Sequence, residues 1–407
     1  MAEDWETVTI GELGRVVTGK TPPTRRSALF GDAYPFITPT DINGQSHVVR
    51  TDRFLSEEGR NFQTNLLLPA GTVSFVCIGA TIGKICMVTR PSFTNQQINS
   101  VVVTTDRHDP RFVYYLLKHE AGRIKSIAGG AATPIVNKTA FSNVLVRVPP
   151  IELETRIGTI LAAYDELIEN NARRIKILEE MAQALYREWF VHFRFPGHEE
   201  FKLITSVVGK IPHGWEIKKL GEIANVNASS IKPGQGLKEI DYVDISSVTV
   251  GRIGNVERYA LADAPGRARR IVTHGDIIWS CVRPNRKSYA LILNPKPNLI
   301  VSTGFAVISA SRAPYTYLYH ALTTDDFVGY LTNRATGAAY PAVTAEDFIN
   351  ANILLPPSKL LDRFDGVASS HFELIHDLYQ INVILGRTRD LLLPKLISGE
   401  ISVAETY

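Results

Sequence analysis

Cysteine is scarce in this sequence: Cys77, Cys86 and Cys281 are the only three among 407 residues. An odd, small number supports no disulfide framework and fits a reducing compartment. There is no Cys-x-x-Cys pair and no histidine-rich run, so the pattern of a structural zinc site is missing. No stretch approaches the roughly eighteen consecutive apolar residues of a membrane-spanning helix. The opening MAEDWETVTI lacks the basic region and apolar run of a secretory leader. The expectation is a cytoplasmic protein. A large excess of one charge sign is missing as well. The 44 Lys and Arg against 41 Asp and Glu leave a net charge of +3. That balance permits nucleic-acid binding where basic residues cluster, but does not demonstrate it.

Catalytic motifs are equally scarce. A methyltransferase acting on amino groups uses Asp/Asn/Ser-Pro-Pro followed by an aromatic residue, with a glycine-rich cofactor loop. Here the paired prolines stand in VPPI and LPPS, with no polar residue before and no aromatic after. No Gly-x-Gly pair opens a helix behind a strand. The segment IGATIGK (78–84) fails as a phosphate loop, because only three residues separate Gly79 from Gly83 and Ile85 replaces the needed Ser or Thr. Glu216-Ile217-Lys218, on an expected strand, has no partnering Pro-Asp, and no nucleophile elbow surrounds a serine. No catalytic, cofactor-binding or metal-binding residue is expected.

What the sequence does contain is itself, twice. At 407 residues the chain is too long for one ordinary core, and 44% hydrophobic with 21% charged residues is a globular composition. Trp5-Glu6 with Gly11-Glu12-Leu13 returns as Trp215-Glu216 with Gly221-Glu222-Ile223. GTVSFVCI (71–78) resembles GDIIWSCV (275–282), placing Cys77 over Cys281. GAATPIVNKTAF (130–141) and GAAYPAVTAEDF (337–348) stand 207 residues apart, as do Pro149-Pro150 and Pro356-Pro357. A long helical pattern follows each proline pair, with Glu-Leu-Ile at 166–168 and again at 373–375. The repeating unit is one globular domain plus one long helix.

Short β-branched runs at 73–78, 98–104, 277–282 and 305–309 read as strands, and 112–118 and 315–323 as short helices. Their order is not a regular strand–helix alternation, so the fold class is α+β and not a doubly wound sheet.

The first long helix carries Leu161, Tyr164, Ile168, Ile175, Leu178, Ala182, Leu185 and Trp189 at heptad spacing, interrupted by Asn171. The second carries Ala368, Ile375, Leu378, Leu385, Leu392 and Leu396, interrupted by His371, Asn382 and Arg389. Each stripe needs a partner, which is either its own globular domain or the other helix. An antiparallel pairing predicts that Asn171 meets Asn382. Ile168 then faces Leu385, Ile175 faces Leu378, Leu178 faces Ile375, Leu161 faces Leu392 and Trp189 faces Phe364. A buried amide pair satisfies its own hydrogen bonds and sets the register. Roughly 33 helical residues would span about 50 Å.

Basic and amide residues gather in turn-like segments. In the first half these are Lys20, Arg25, Arg26 and Lys84, with Asn95, Gln96 and Gln97. In the second half they are Arg267, Arg269, Arg270, Arg283, Asn285, Arg286 and Lys287. Arg and Lys neutralise phosphates, and Arg, Asn and Gln make bidentate contacts to guanine and adenine edges. The same clusters also read as solvated surface loops. Phe30, Tyr34 and Tyr340 are either base-stacking aromatics or anchors of core and loops, and Cys77 and Cys281 read as buried strand residues.

TGKTPP (18–23), YPFITPTDI (34–42), IGATIGK with NQQI, DIIWSCVRPN with STGF, both GAA-x-P segments, both proline pairs and both long helices occur in one order. In this the chain resembles the specificity subunit of type I restriction-modification systems over nearly its whole length. The resemblance implies two similar mixed α/β target recognition domains, 1–150 and 196–356, separated by two long helices forming an antiparallel coiled coil. These helices are 151–195 and 357–407, the latter with a C-terminal tail, and the whole is an internal pseudo-twofold repeat. Each domain would read one half of a split, asymmetric DNA target, and the helices would set the unread spacer. Two methyltransferase subunits, carrying S-adenosylmethionine, and two translocating nuclease subunits would be the partners. The chain itself would hold no cofactor. The halves differ where NASSIKPGQGLKE (227–239) replaces the TGKTPP-like loop, so they should read different bases. Two readings from other classes compete. A self-contained adenine methyltransferase would transfer methyl groups alone, and a repeat-built scaffold would show no salt-dependent DNA affinity.

Overall fold

The computed structural model describes residues 5–48, 50–129, 133–231 and 237–403. Residues 130–132 of the first GAA-x-P segment, 232–236 of the NASSIKPGQGLKE segment and 1–4 of the opening lie outside the described residues. The chain divides into two compact units, Met1–Arg173 with Gln380–Tyr407, and Arg174–Tyr379. Among the described residues no helix is long and apolar enough to cross a membrane.

Unit 1 is built on an antiparallel sheet whose strands run in the order Gly14–Thr18, Ile98–Val103, Val73–Val76, Ile85–Met87. The run VSFV at 73–76 is buried at every position, which is why it reads as a continuous apolar stretch and not an alternating one. A second sheet orders Phe54–Leu55, Phe30–Ile37 and Phe93–Thr94, the last two parallel. Glu6–Thr9 pairs with Leu145–Val148 in a separate ladder. The helix Pro110–Ser126 is longer than the 112–118 expected from apolar spacing. Its N-terminus is set by the Asp109 side chain, which accepts from the Arg111 and Phe112 amides, with Pro110 in the first turn. Arg123 and Lys125 in the last turn complement the helix dipole. Phe75, Phe112, Tyr114, Tyr115 and Phe141 form the bulk of the core.

Unit 2 repeats this plan. Its antiparallel sheet runs Ala224–Val226, Phe305–Ala310, Ile277–Ser280, Tyr289–Leu291. The second sheet runs Glu257–Ala260, Glu239–Val243, Leu299–Ser302, Ala268–Ile271, with the middle two strands parallel. Glu216–Lys219 pairs with Asn352–Leu355. Both units thus carry the same strand order in the main sheet and a parallel pair in the second. The duplication read from the sequence is a duplication of topology. The strand Ala268–Ile271 has no counterpart among the described strands of unit 1.

The long helices are Ile151–Tyr186, followed by a π-turn at Arg187–Val191, and Ser358–Ile397. Within unit 1, Asn171 Nδ2 donates to Asn382 Oδ1 at 2.9 Å and Asn382 Nδ2 to the Ile168 carbonyl at 3.2 Å. Leu161 shares a core with Leu392. Within unit 2, Ile175 and Leu178 cluster with Ile375 and Leu378, and the Trp189 and Phe364 rings lie 6.0 Å apart. The antiparallel register predicted from the two asparagines therefore holds. The helices also pack on their own globular parts, since Leu360, Leu361, Phe364, Ala368 and Phe372 belong to the unit 2 core. The two partners considered for the stripes are both used.

His320 sits in that core, 7% exposed, stacked on Tyr186 at 5.4 Å and facing Phe364 and Phe372. Burial holds its imidazole neutral, pushing the pKa down to about 3 from the ordinary 6.5. The unfolded chain therefore takes up a proton below pH 6.5 that the native state refuses. The stability contributed is complete above that pH and is lost progressively as the pH falls from 6.5 towards 3. Urea unfolding followed by tryptophan fluorescence is suited to this, because Trp189, Trp215 and Trp279 all lie in unit 2. The midpoint should drop between pH 6.5 and pH 5, and His320→Leu should flatten the drop. An unchanged slope in that variant would assign the acid sensitivity elsewhere.

Candidate nucleic-acid interface

In each unit some of the basic and amide residues singled out in the sequence lie where chain segments meet at one end of the main sheet, while Arg26 lies over Phe62 and Arg269 and Arg270 lie on the strand Ala268–Ile271 of the second sheet. In unit 1 these segments follow Gly14–Thr18, follow Val73–Val76 and precede Ile98–Val103. The Lys20 amide donates to the Thr94 carbonyl at 3.0 Å and the Gly19 amide to the Ile98 carbonyl at 3.1 Å. Thr21 Oγ1 donates to Gln96 Oε1 at 2.8 Å. Lys20 and Gln96, distant in sequence, thus stand side by side, and both are exposed.

Neighbouring side chains are used differently. Asn95 is buried; its Oδ1 accepts from the Gln97 amide at 3.1 Å and its Nδ2 donates to Gln97 Oε1 at 2.9 Å. Asn95 therefore shapes a turn that lifts Gln96 outward, and the Gln97 carbonyl accepts from the Cys77 amide at 2.7 Å. Lys84 is half-buried and its Nζ donates to the Pro39 carbonyl at 2.9 Å, tying the Gly-rich turn to the ITPTD loop. Arg25 and Arg26 are exposed, the latter over the Phe62 ring at 5.9 Å.

Unit 2 repeats the framework with other side chains. The Gly304 amide donates to Ser302 Oγ at 3.3 Å, and the Gly304 carbonyl accepts from the Cys281 amide at 2.9 Å. This is the Asn95 turn again, with Ser302 in place of the asparagine and exposed Thr303 in the place of Gln96. The Thr303 amide donates to the Arg267 carbonyl at 2.8 Å, so exposed Arg267 stands beside it. Arg269 is exposed with Nε on the Gly266 carbonyl at 3.2 Å, and Arg270 is half-buried with Nη1 3.5 Å from Ser230 Oγ. After Cys281 comes the one-turn segment Pro284–Arg286, which leaves Asn285 and Arg286 exposed. Its flanks are tethered. Arg283 lies over the Tyr340 ring, and Lys287 Nζ donates to Asp325 Oδ1 at 2.7 Å. That ammonium holds the Asp325 carboxyl below its usual range. Burial pushes the Cys77 and Cys281 thiols up to about 11, so neither is a thiolate at neutral pH.

Thr21 and Thr303 were not among the residues expected from sequence. Thr303 was within reach, because NQQI and STGF stand at the same offset of 207 residues as the proline pairs. Thr21 needed the fold, since only the fold brings it to Gln96. Among the described residues no group of three or more His, Cys, Asp or Glu is arranged to hold a metal ion. The arrangement offers cationic and amide donors on loops held by backbone hydrogen bonds, a surface suited to hydrogen-bond acceptors.

Residues 2–180 match the family model described as the type I restriction modification DNA specificity domain. The chain is 27% identical to the type I restriction enzyme MjaIX specificity subunit of Methanocaldococcus jannaschii, over 99% of this chain and 95% of that one. It is 36% identical to the HindI specificity subunit of Haemophilus influenzae, over 43% of this chain and 39% of that one. The fold resembles the crystal structure of a type I restriction-modification S subunit from M. genitalium, with a TM-score of 0.65, 16% identity and 96% of each chain covered.

Proposed function

We propose that this chain is a specificity subunit of a type I restriction-modification system and reads a split, asymmetric DNA target, one half with each unit. The match of residues 2–180 to the DNA specificity domain and the 27% identity to a specificity subunit over 99% of the chain support this. In this reading residues 1–150 and 196–356 are the target recognition domains, and 151–195 with 357–407 form the paired helices. Those helices set the unread gap and dock two methyltransferase subunits, and two translocating nuclease subunits join for restriction. S-adenosylmethionine is held by the methyltransferase subunits, and this chain carries no cofactor and no catalytic residue of its own.

The observation that carries the reading is the framework repeated at the sheet end of both units with different outward side chains. Gln96 beside Lys20 and Thr21 in one unit corresponds to Thr303 beside Arg267 in the other. Two copies of one scaffold presenting different donors are suited to reading two different short sequences. The test is to coexpress the chain with its methyltransferase subunit and map methylated adenines across a genome by single-molecule sequencing. A split motif with a constant gap is expected. Absence of any motif from an assembled, S-adenosylmethionine-competent complex would overturn the reading.

The spacer role has its own test in the same assay. Insertion of one heptad into both helices should widen the gap and leave both half-sites unchanged. A change in the bases themselves would remove the spacer role.

A further inference from the structure

Past the strand Ile277–Ser280 the backbone turns left-handed at Arg283, with φ +51°. The corresponding residue of unit 1 is Gly79, also left-handed at φ +86°, with open space where a Cβ would stand. Both amides make the same bond, Gly79 to the Pro134 carbonyl at 2.9 Å and Arg283 to the Pro341 carbonyl at 2.7 Å. One turn therefore occurs twice, once with the residue type that adopts it freely and once with a long side chain that pays for it in strain. Strain held at a position where its own repeat uses glycine points to a task for the side chain.

The surroundings of that side chain define the task. The Arg283 guanidinium lies 4.5 Å from the Tyr340 ring centroid, and its Nη2 donates to the Ala339 carbonyl at 3.0 Å. Tyr340 is 69% exposed, so its ring is no core anchor. It tips a short hairpin closed by the pairing of Thr336 with Ala342. Ring and carbonyl tether the guanidinium at two points, and it makes no other hydrogen bond among the described residues. A planar fork of donors held in advance matches the O6 and N7 acceptors of guanine, whereas a phosphate is served as well by an untethered cation.

We propose that Arg283 reads a guanine in the half-site of unit 2, and that Tyr340 is its positioning residue. Unit 1 has no such element, because glycine occupies the place. The inference rests on the reading of this chain as a DNA specificity subunit, and it names a residue and a base within that reading.

Complexes of the methyltransferase subunit with the wild-type chain and with Arg283→Ala, Arg283→Lys, Tyr340→Ala and Tyr340→Phe would be compared by methylation mapping. Salt titration of DNA binding would be run alongside. The wild type must first yield a split motif; if it yields none, the functional reading fails and this inference with it. Given that motif, both Arg283 variants should lose roughly ten- to a hundredfold in methylation of the cognate site. They should also accept other bases at one guanine position of one half-site, with the other half-site intact. Lysine keeps the charge and the long stem, so Arg283→Lys decides the matter should the alanine variant assemble poorly. Tyr340→Ala should loosen the same position, and Tyr340→Phe, which keeps the ring, should behave as wild type. Loss that is uniform across sequences, with a salt slope shallower by about one, would make Arg283 a phosphate contact and overturn the proposal. An unchanged motif in both Arg283 variants would overturn it as well.

Discussion

Gly19→Ala is expected to abolish modification of the split target while leaving the chain folded. Gly19 is buried where the TGKTPP loop crosses the NQQI turn. A Cβ there would sit well inside van der Waals contact of the Thr94 and Asn95 carbonyls and of the Thr94 hydroxyl. Backbone cannot yield as a flexible side-chain tip would, so the two loops must part. The Lys20–Thr94 and Thr21–Gln96 bonds then go with them. These loops carry the outward donors of unit 1, and displacements near 1 Å cost about a hundredfold where geometry decides the outcome. Methylation mapping should show a loss of that size or more, with near-normal circular dichroism. Gly122→Ala is the control, because that helical glycine has open space around it and should gain up to about 1 kcal/mol of stability. Full methylation by Gly19→Ala would show that the junction of these loops has no part in reading DNA.

The second large effect concerns stability. In unit 1, buried Asp165 of the first long helix accepts from the Tyr115 hydroxyl at 2.6 Å and from Arg389 of the second helix. The Arg389 side chain is only 16% exposed and also reaches Asp390 at 2.7 Å. Asp165→Ala leaves Arg389 Nη1 and the Tyr115 hydroxyl without their acceptor, with Asp390 as the guanidinium's remaining partner, at a cost of about 2–4 kcal/mol. The double variant Asp165→Leu with Arg389→Met should lose much less than either single change, because removing both charges removes the desolvation penalty. Unit 2 already contains that solution. At the same offset of 207 residues it carries Phe372 for Asp165 and Ala182 for Arg389, both buried. Urea midpoints of the single and double variants measure the difference. Equal losses in all three would mean that packing, and not charge pairing, holds this junction.

The internal repeat and the antiparallel register were legible in the sequence. Heptad spacing is a local property, and the two asparagines that break it can satisfy their amides only by meeting, which they do. The repeat was equally plain, because identical offsets recur along the chain. Helix ends were less legible, since Pro110–Ser126 is extended by a cap and a favourable first turn more than by apolar spacing.

What each loop residue does was decided by the tertiary structure alone. Lys84, Asn95, Gln96 and Arg283 all read as polar residues in turns, yet one ties two loops together, one shapes a turn, one faces outward and one is stacked on a tyrosine. The physical reason is the reach of the interactions. Helical spacing and the repeat are patterns carried along the chain itself. A loop side chain is either occupied or free according to partners such as Pro39 or Tyr340, and only the folded chain brings those within hydrogen-bonding or stacking distance.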